Sequence, residues 1–507
     1  AGDIWWESRG LGGAAAVLAL AALATFLLRR RLAPPAAVDD TLARRSRRYA
    51  PLFAVLGLGA ATLGSDTLER SGNRVANELA ANGLSRFAQA LRTSEIDYHA
   101  FYASRDAAAN FALLRRELGA AGGRFTRLAE GRLDRSFPAR ADGLGRLNVV
   151  LISSESFGAD FSRLYGAARD WTPEFDALAR RGVWFRHAYA SGTRTVRGLE
   201  AISVSIPPIP TTSILRRPGF GQVATLGEVL QANGYHSTFM YGGYGYFDNM
   251  NAFFAANGYE VLDRTALPGE PRFENVWGVA DEDLFDAALA QADRLAERRQ
   301  PFFIHVMTTS NHKPFTFRPG LESIGIQAEG GGRESGVRYA DYAQGRFLRD
   351  AAGHAWFADT LSAIVAGHGA RVYGREDIPL RSYEIPMLLY SPRHLAPRQV
   401  DALTSQIDLA PTLLGLLGLP YTAPWFGRDV LHPGSARPLA FFSHNHDVAL
   451  YRPGVLAILG LRGRIAHQTY SDDRDRYAPA PPDPGLDALA VAYYQTAYEL
   501  FRSGRYD

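Results

Sequence analysis

LNVVLISSESFGADF, residues 147–161, decides how the rest of the chain is read. Its first eight residues are mostly apolar, with β-branched Val149, Val150 and Ile152, the pattern of a strand buried on both faces. Working outward, GFGQVATLGEVLQANGYHSTFMYGG (219–243) predicts a helix leading into a strand. DEDLFDAALAQADRLAERR (281–299) predicts a second helix. PFFIHVMTTS (301–310), TLSAIVAG (360–367) and IPMLLYSP (385–392) read as further buried strands. Strands of this kind alternating with helices predict an α/β fold, a mostly parallel sheet with helices on both faces. Residues 438–470 carry shorter strand-like runs, which predict a small antiparallel C-terminal layer. GIQAEGGGRESG (325–336) reads as a flexible surface loop.

The remainder bounds the setting. Residues 11–28, LGGAAAVLALAALATFLL, carry no charge and are long enough to cross a bilayer. A shorter apolar stretch, YAPLFAVLGLGAATLG, follows at 49–64. The loop between them holds seven arginines, which the positive-inside rule places in the cytoplasm. Two transmembrane spans then put everything after Ser65 outside; the competing reading is a buried core hairpin. The expected organisation is 1–65 transmembrane, 66–145 helical connecting arm and linker, 146–430 catalytic domain and 431–507 C-terminal subdomain. The 507 residues carry a net charge of only +3, so nothing calls for nucleic acid. There is no cysteine, which excludes disulfides, thiolate metal sites and cysteine nucleophiles.

In open α/β sheets, ligands bind beyond the carboxyl ends of the strands. Three candidates stand there: Glu155 after LNVVLISS, His312 after FFIHVMTTS, and His368 after LSAIVAG. Each alone reads equally as a cap, a surface charge or a core histidine. Together they form a donor set for a hard or borderline divalent cation. HAYASGTRTVRGLEA (187–201) adds a loop running into a helix start, with Thr193 and Thr195 at the anion-favouring end. From local sequence, Thr195 is either a metal-activated nucleophile or a helix cap.

NVVLISSESFGADF, WTPEFDALARRGVWFRHAYASGTRTVRGLEA, MTTSNHKPF, HGARVYG with the following IPLRSYEIPMLLYSP, and QIDLAPTLLGLLG occur in that order. As an ordered set they resemble the lipoteichoic acid synthase and phosphoglycerol transferase branch of the sulfatase/alkaline phosphatase superfamily, over about 146–430. The resemblance implies an alkaline-phosphatase-type sheet and one Mn²⁺ or Mg²⁺ ion. It implies metal ligation by Glu155, Thr195 and His368, with Thr195 as the nucleophile. His312 then lies near the leaving or entering oxygen. Arg194 and Arg197 read either as stabilisers of the transition-state charge or as surface charges. It also implies more membrane helices than the two above. The nucleophile region, TRTVRG, holds no C/S-x-P-x-R motif, so sulfatase chemistry is not expected. No second set of Asp and His ligands for a two-zinc site is found either.

MYGGYGYFDNMNAFFAANGY (240–259) matches a substrate-side loop by position. Tyr241, Asp248 and Asn249 there are read as headgroup contacts, or, for the last two, as structural hydrogen-bonders. Trp277 packs either against glycerol or in the core, and SHNHD (443–447) is expected at the rim of the site. Gly367 stands where the resemblance puts an aspartate ligand. Glycine supplies no donor atom, which predicts weakened metal binding and low turnover. Asp359 lies at the opposite end of its strand and cannot substitute.

The expected function is transfer of phosphoglycerol from phosphatidylglycerol to a glycan or glycerol-phosphate acceptor. The enzyme would sit in the bacterial inner membrane with its catalytic domain periplasmic or extracellular. The alternatives are a phosphoethanolamine transferase and a non-catalytic periplasmic binding module that has lost its metal.

Overall fold

The computed structural model describes residues 97–507 apart from 373, 473 and 474, together with residue 50. The apolar segment 11–28, the segment 49–64 apart from residue 50, and residues 66–96 of the expected arm lie outside the described residues. Among the described residues, no helix is long and apolar enough to cross a membrane.

The main sheet has eight strands: β1 Asn148–Ser154, β2 Val183–Phe185, β3 His236–Tyr241, β4 Glu260–Leu262, β5 Phe302–Met307, β6 Thr360–Ala366, β7 Met387–Tyr390 and β8 Arg398–Val400. Their spatial order is β8-β2-β7-β6-β1-β5-β3-β4. Only β7 runs against its neighbours, β6 and β2. The mostly parallel sheet expected from the apolar strands is therefore observed.

Both faces are covered, as two adjacent β3 residues show. Ser237 Oγ donates to the Gly227 carbonyl at 2.9 Å, toward the helix Leu226–Ala232. Thr238 Oγ1 accepts from Gln291 Nε2 at 3.0 Å, toward the helix Asp281–Glu297. Successive strand residues point to opposite faces, so these helices flank the sheet on its two sides. The Leu226–Ala232 helix starts with a capping box, Thr225 and Glu228 exchanging bonds with each other's backbone.

Register positions the site. β1 lies between β5 and β6, parallel to both, with Ser153 opposite Met307 and Val365. These three central strands end level. The residues that follow them, 155, 308–312 and 367–368, emerge side by side at one carboxyl edge.

Two stretches differ from expectation. Residues 122–145, read as linker, are built into the domain. Arg124–Phe125 pairs with Arg135–Phe137, which pairs with Tyr421–Ala423. Arg135 is buried, its guanidinium donating to the carbonyls of Leu118, Trp425 and Gly427. Those bonds hold an arginine that composition alone places in solvent. GIQAEGGGRESG is also not all loop. Its last five residues open a twenty-residue helix, Gly332–Ala351. The glycine run masked the apolar periodicity that begins at Val337.

The C-terminal layer is a five-stranded antiparallel meander: β9 Ala440–His444, β10 Asp447–Arg452, β11 Val455–Leu459, β12 Ile465–Ser471 and β13 Arg476–Pro479. The helix Pro484–Arg502 packs on it and on the helix Ala107–Gly119. Buried Tyr494 ties helix to sheet, donating from its hydroxyl to the Ala449 carbonyl at 2.6 Å.

Candidate active site

Glu155 is the first residue beyond the end of β1 and is buried. Its backbone N–H donates to Thr308 Oγ1 at 2.9 Å, and Ser156 Oγ donates to its Oε1 at 2.7 Å. Thr195 Oγ1 donates to its Oε2 at 3.0 Å. His368 Nε2 lies 3.4 Å from Oε1. A carboxylate, an imidazole and a hydroxyl therefore converge, as the sequence predicts.

The cap alternative for Thr195 fails. The N-cap of the helix Thr195–Val204 is Arg194, with no side-chain cap bond, and Thr195 is the first helical residue. Its hydroxyl is directed to Glu155 rather than to its own backbone. The uncapped helix start gives this edge of the site the positive end of a helix dipole.

Electrostatics couple Glu155 and His368. Burial pushes the Glu155 carboxyl up, but His368, helped by Ser156 and His312, holds it down at about 2. Burial pulls the His368 imidazole down, and Glu155 more than reverses this, leaving it raised. His368 Nδ1 lies 2.7 Å from the Gly369 carbonyl, which can only accept. That bond puts the hydrogen on Nδ1 and turns Nε2 toward Glu155.

Gly367 is the gap in this set. Its N–H donates to the Ser154 carbonyl at 3.1 Å, so the backbone is held as a strand end. A Cβ built there meets nothing within 4 Å. Among the described residues, no group of three or more His, Cys, Asp or Glu comes together to hold a metal ion. Glu155, His368 and the Thr195 hydroxyl fit a divalent cation as three protein donors, with room at 367 for a carboxylate this chain lacks. Asp359, as expected, offers no replacement: it is exposed and paired with Arg393 at 3.0 Å.

The other candidates divide. His312 is partly exposed, its ring 3.8 Å from that of Trp277, centroid to centroid. Trp277 is therefore at the site and not in the core. Tyr241 is buried within electrostatic reach of Glu155, and burial raises its phenol further. Asp248 pairs with Arg216 at 3.6 Å, and burial raises its carboxyl. Asn249 donates from its amide to the Leu215 carbonyl at 2.7 Å, a structural bond. Arg194 is exposed beside Thr195. Arg197 is not available to a substrate. It is buried, bonded to Glu200 at 3.0 Å and to the carbonyls of Ile209 and Thr211. The turn of the helix carries it inward, which corrects both readings of it, as a transition-state contact and as a surface charge.

Several supporting residues were not found from sequence. Gln406, in QIDLAPT, donates to the carbonyls of Ala366 and Gly367 at 2.8 and 3.0 Å and accepts the Ser191 N–H at 3.1 Å. It clamps the β6 end to the loop that precedes Thr195. Ser443 of SHNHD donates its N–H to the Ser191 carbonyl at 2.8 Å, so that segment does reach this loop. Asn311 donates to the carbonyls of Glu155 and Ser156, and Arg333 donates to Asn311 Oδ1 at 3.1 Å. Gly198 packs against the Gly367 backbone: a Cβ there would lie 2.6 Å from the Gly367 Cα. Asp281 accepts the N–H groups of Thr309 and Ser310, and burial, with Glu155 nearby, pushes its carboxyl up to about 6. The signals were present as polar residues inside apolar motifs, but a single sequence does not show which partners they reach.

Comparison with known proteins follows the same lines. A family model described as Sulfatase matches residues 147–419. Phosphoglycerol transferase I of Escherichia coli O127:H6 is 25% identical over 247 residues, 46% of this chain and 32% of that protein. The match thus spans about a third of that relative's length. A protein of the alkaline phosphatase superfamily from Vibrio parahaemolyticus superposes with a TM-score of 0.75 at 30% identity, covering 81% of this chain and 100% of that one. The lipoteichoic acid synthase LtaP from Listeria monocytogenes shares the fold, with a TM-score of 0.60 at 16% identity over 77% of this chain and 98% of that one. The chain belongs to the sulfatase family of the alkaline phosphatase superfamily, and within it is similar to the phosphoglycerol transferase and lipoteichoic acid synthase members.

Proposed function

We propose that this chain is a phosphotransferase that moves phosphoglycerol from phosphatidylglycerol to a glycan or glycerol-phosphate acceptor through a Thr195 intermediate. The observation that carries the reading is the Thr195 hydroxyl 3.0 Å from Glu155 Oε2, at an uncapped helix start and beside His368. The similarity to phosphoglycerol transferase I supports the choice of headgroup.

Thr195 Oγ attacks the phosphorus, and the bond from phosphorus to the diacylglycerol oxygen breaks. The threonine hydroxyl, oriented by Glu155 Oε2, gives its proton up to solvent, and the leaving oxygen takes a proton from His312. In the second step the acceptor hydroxyl returns a proton to His312 while its oxygen displaces Thr195, which takes a proton back from solvent. Arg194 and the helix N-terminus stabilise charge on the phosphoryl oxygens. Glu155, Thr195 and His368 would hold Mn²⁺ or Mg²⁺, which when bound acidifies the threonine hydroxyl and withdraws charge from the phosphate. The apolar segments at 11–28 and 49–64 and the arginine loop between them support anchoring in a bacterial inner membrane, with the catalytic domain outside the cytoplasm.

One observation favours a second reading. Gly367 removes a donor from the metal set, which suits binding of a phosphodiester headgroup without turnover. The test is transfer of labelled headgroup from phosphatidylglycerol or phosphatidylethanolamine vesicles by the chain, by Gly367→Asp and by Thr195→Ala. Phosphoglycerol transfer, improved in Gly367→Asp and absent in Thr195→Ala, supports the reading. Transfer from phosphatidylethanolamine alone replaces the donor, and no transfer by any form leaves the binding module.

A further inference from the structure

Exposed large apolar side chains are few among the described residues, and most gather at one place. Tyr246 is 77% exposed, Val276 76%, Phe247 44% and Tyr244 41%. They sit on two loops in contact with each other, since a Cβ on Gly243 would lie 2.6 Å from the Trp277 carbonyl oxygen. The Phe247 ring meets Trp277 edge-on at 5.8 Å, and Trp277 lies against His312. Tyr246 stacks on Tyr244 at 5.5 Å. The apolar cluster is thus continuous with the wall of the site, one ring away from His312.

Charge completes the rim. Arg194 and Lys313, the chain's single lysine, are exposed beside Thr195 and His312. Arg216 is more than half exposed and pairs with Asp248 next to Phe247. Arg264 lies over the Tyr244 ring at 4.4 Å and pairs with Glu274. Asp248 and Glu274 each have an arginine partner here, and Arg194 and Lys313 are exposed cations at the same edge.

We propose that this rim docks on an anionic phospholipid bilayer, with Tyr246, Phe247 and Val276 entering the headgroup boundary and the cations facing lipid phosphates. The inference rests on the lipid-donor reading of the site and adds how the lipid is presented. Tyrosine and tryptophan favour the interface, where one end of the ring is apolar and the other wet. Val276 decides between lipid and carbohydrate, because an exposed aliphatic tip offers no ring face for a sugar and gains only by leaving water. Cations around an apolar tip match an anionic surface.

The absence of cysteine provides the test. The full chain, reconstituted into phosphatidylglycerol-containing vesicles, carries a single cysteine at Tyr246, at Val276 or, as control, at exposed Asp142, labelled with an environment-sensitive fluorophore. The expected result is a blue shift and quenching by lipid-borne quenchers at 246 and 276, none at 142, and loss of both effects when the vesicles lack anionic lipid. Solvent-like emission at both positions overturns the proposal. So does a response to soluble glycan fragments without vesicles, which makes the rim a carbohydrate platform. Label insertion with no headgroup transfer by this chain or by Gly367→Asp leaves this inference standing and removes the transferase reading, and transfer without insertion does the reverse.

Discussion

Gly367→Asp is the perturbation with the most to say about this site. The backbone at 367 is not in the left-handed region, and a Cβ there meets nothing within 4 Å, so the carboxylate enters open space. Replacing glycine in a compatible conformation stabilises by about 0.4–1 kcal/mol through the unfolded state. Without metal this gain is opposed, because the new charge joins a buried Glu155 already held ionised. With metal the sign reverses. Two unit charges 4 Å apart interact by about 4 kcal/mol at an effective dielectric near 20. Desolvation of the new carboxylate takes back roughly half. A net of about 2 kcal/mol corresponds to roughly 30-fold tighter binding. Calorimetric titration of the purified full chain with Mn²⁺ measures this directly. An unchanged dissociation constant in Gly367→Asp, with the variant folded, would refute the argument that position 367 faces the ion.

Other outcomes follow from the same geometry. Gly198→Ala brings a Cβ to 2.6 Å from the Gly367 Cα, and backbone cannot yield as a side chain can. Denaturant melts should show a loss of about 1–3 kcal/mol. Arg197→Ala leaves Glu200 buried and unpaired, costing about 3–5 kcal/mol, whereas Arg194→Ala should leave stability within about 0.5 kcal/mol and lower headgroup transfer. Thermal melts and transfer assays on the pair separate the two arginines. The Glu155–His368 pair gives metal-free stability a two-sided pH profile. The lowered carboxyl contributes above its ordinary range near 4.5, a contribution lost as pH falls toward 2. The raised imidazole contributes fully below about 6.5, a contribution lost as pH climbs through its folded value. Unfolding free energies across pH should carry both limbs, and Glu155→Gln should flatten them.

The main apolar strands and the sheet edge where Glu155, Thr195 and His368 meet were legible in the sequence, whereas the spatial order of the strands was not. Apolar runs of strand length mark β1, β5 and β6, and the polar residues just past them mark the edge. Thr195 was legible as a residue at a helix start but not as a nucleophile from local sequence, since a cap and an N1 hydroxyl look alike one-dimensionally. Arg197 was misread because its direction depends on helical phase relative to Glu200 and on carbonyls a dozen residues away. The helix Gly332–Ala351 was not read from the sequence, and its first turn was taken for loop because the glycine run carries no periodicity. Gln406 and Asn311 were invisible as parts of the site because their partners are backbone groups on strands distant in sequence.

The central claim is that Thr195 carries the headgroup. Mass spectrometry of the peptide containing Thr195, after brief incubation of the full chain and of Gly367→Asp with phosphatidylglycerol and Mn²⁺, tests it most directly. The account predicts a glycerol-phosphate adduct on Thr195, more abundant in Gly367→Asp and absent in Thr195→Ala. An adduct on another residue, or headgroup transfer with no adduct at all, would contradict it.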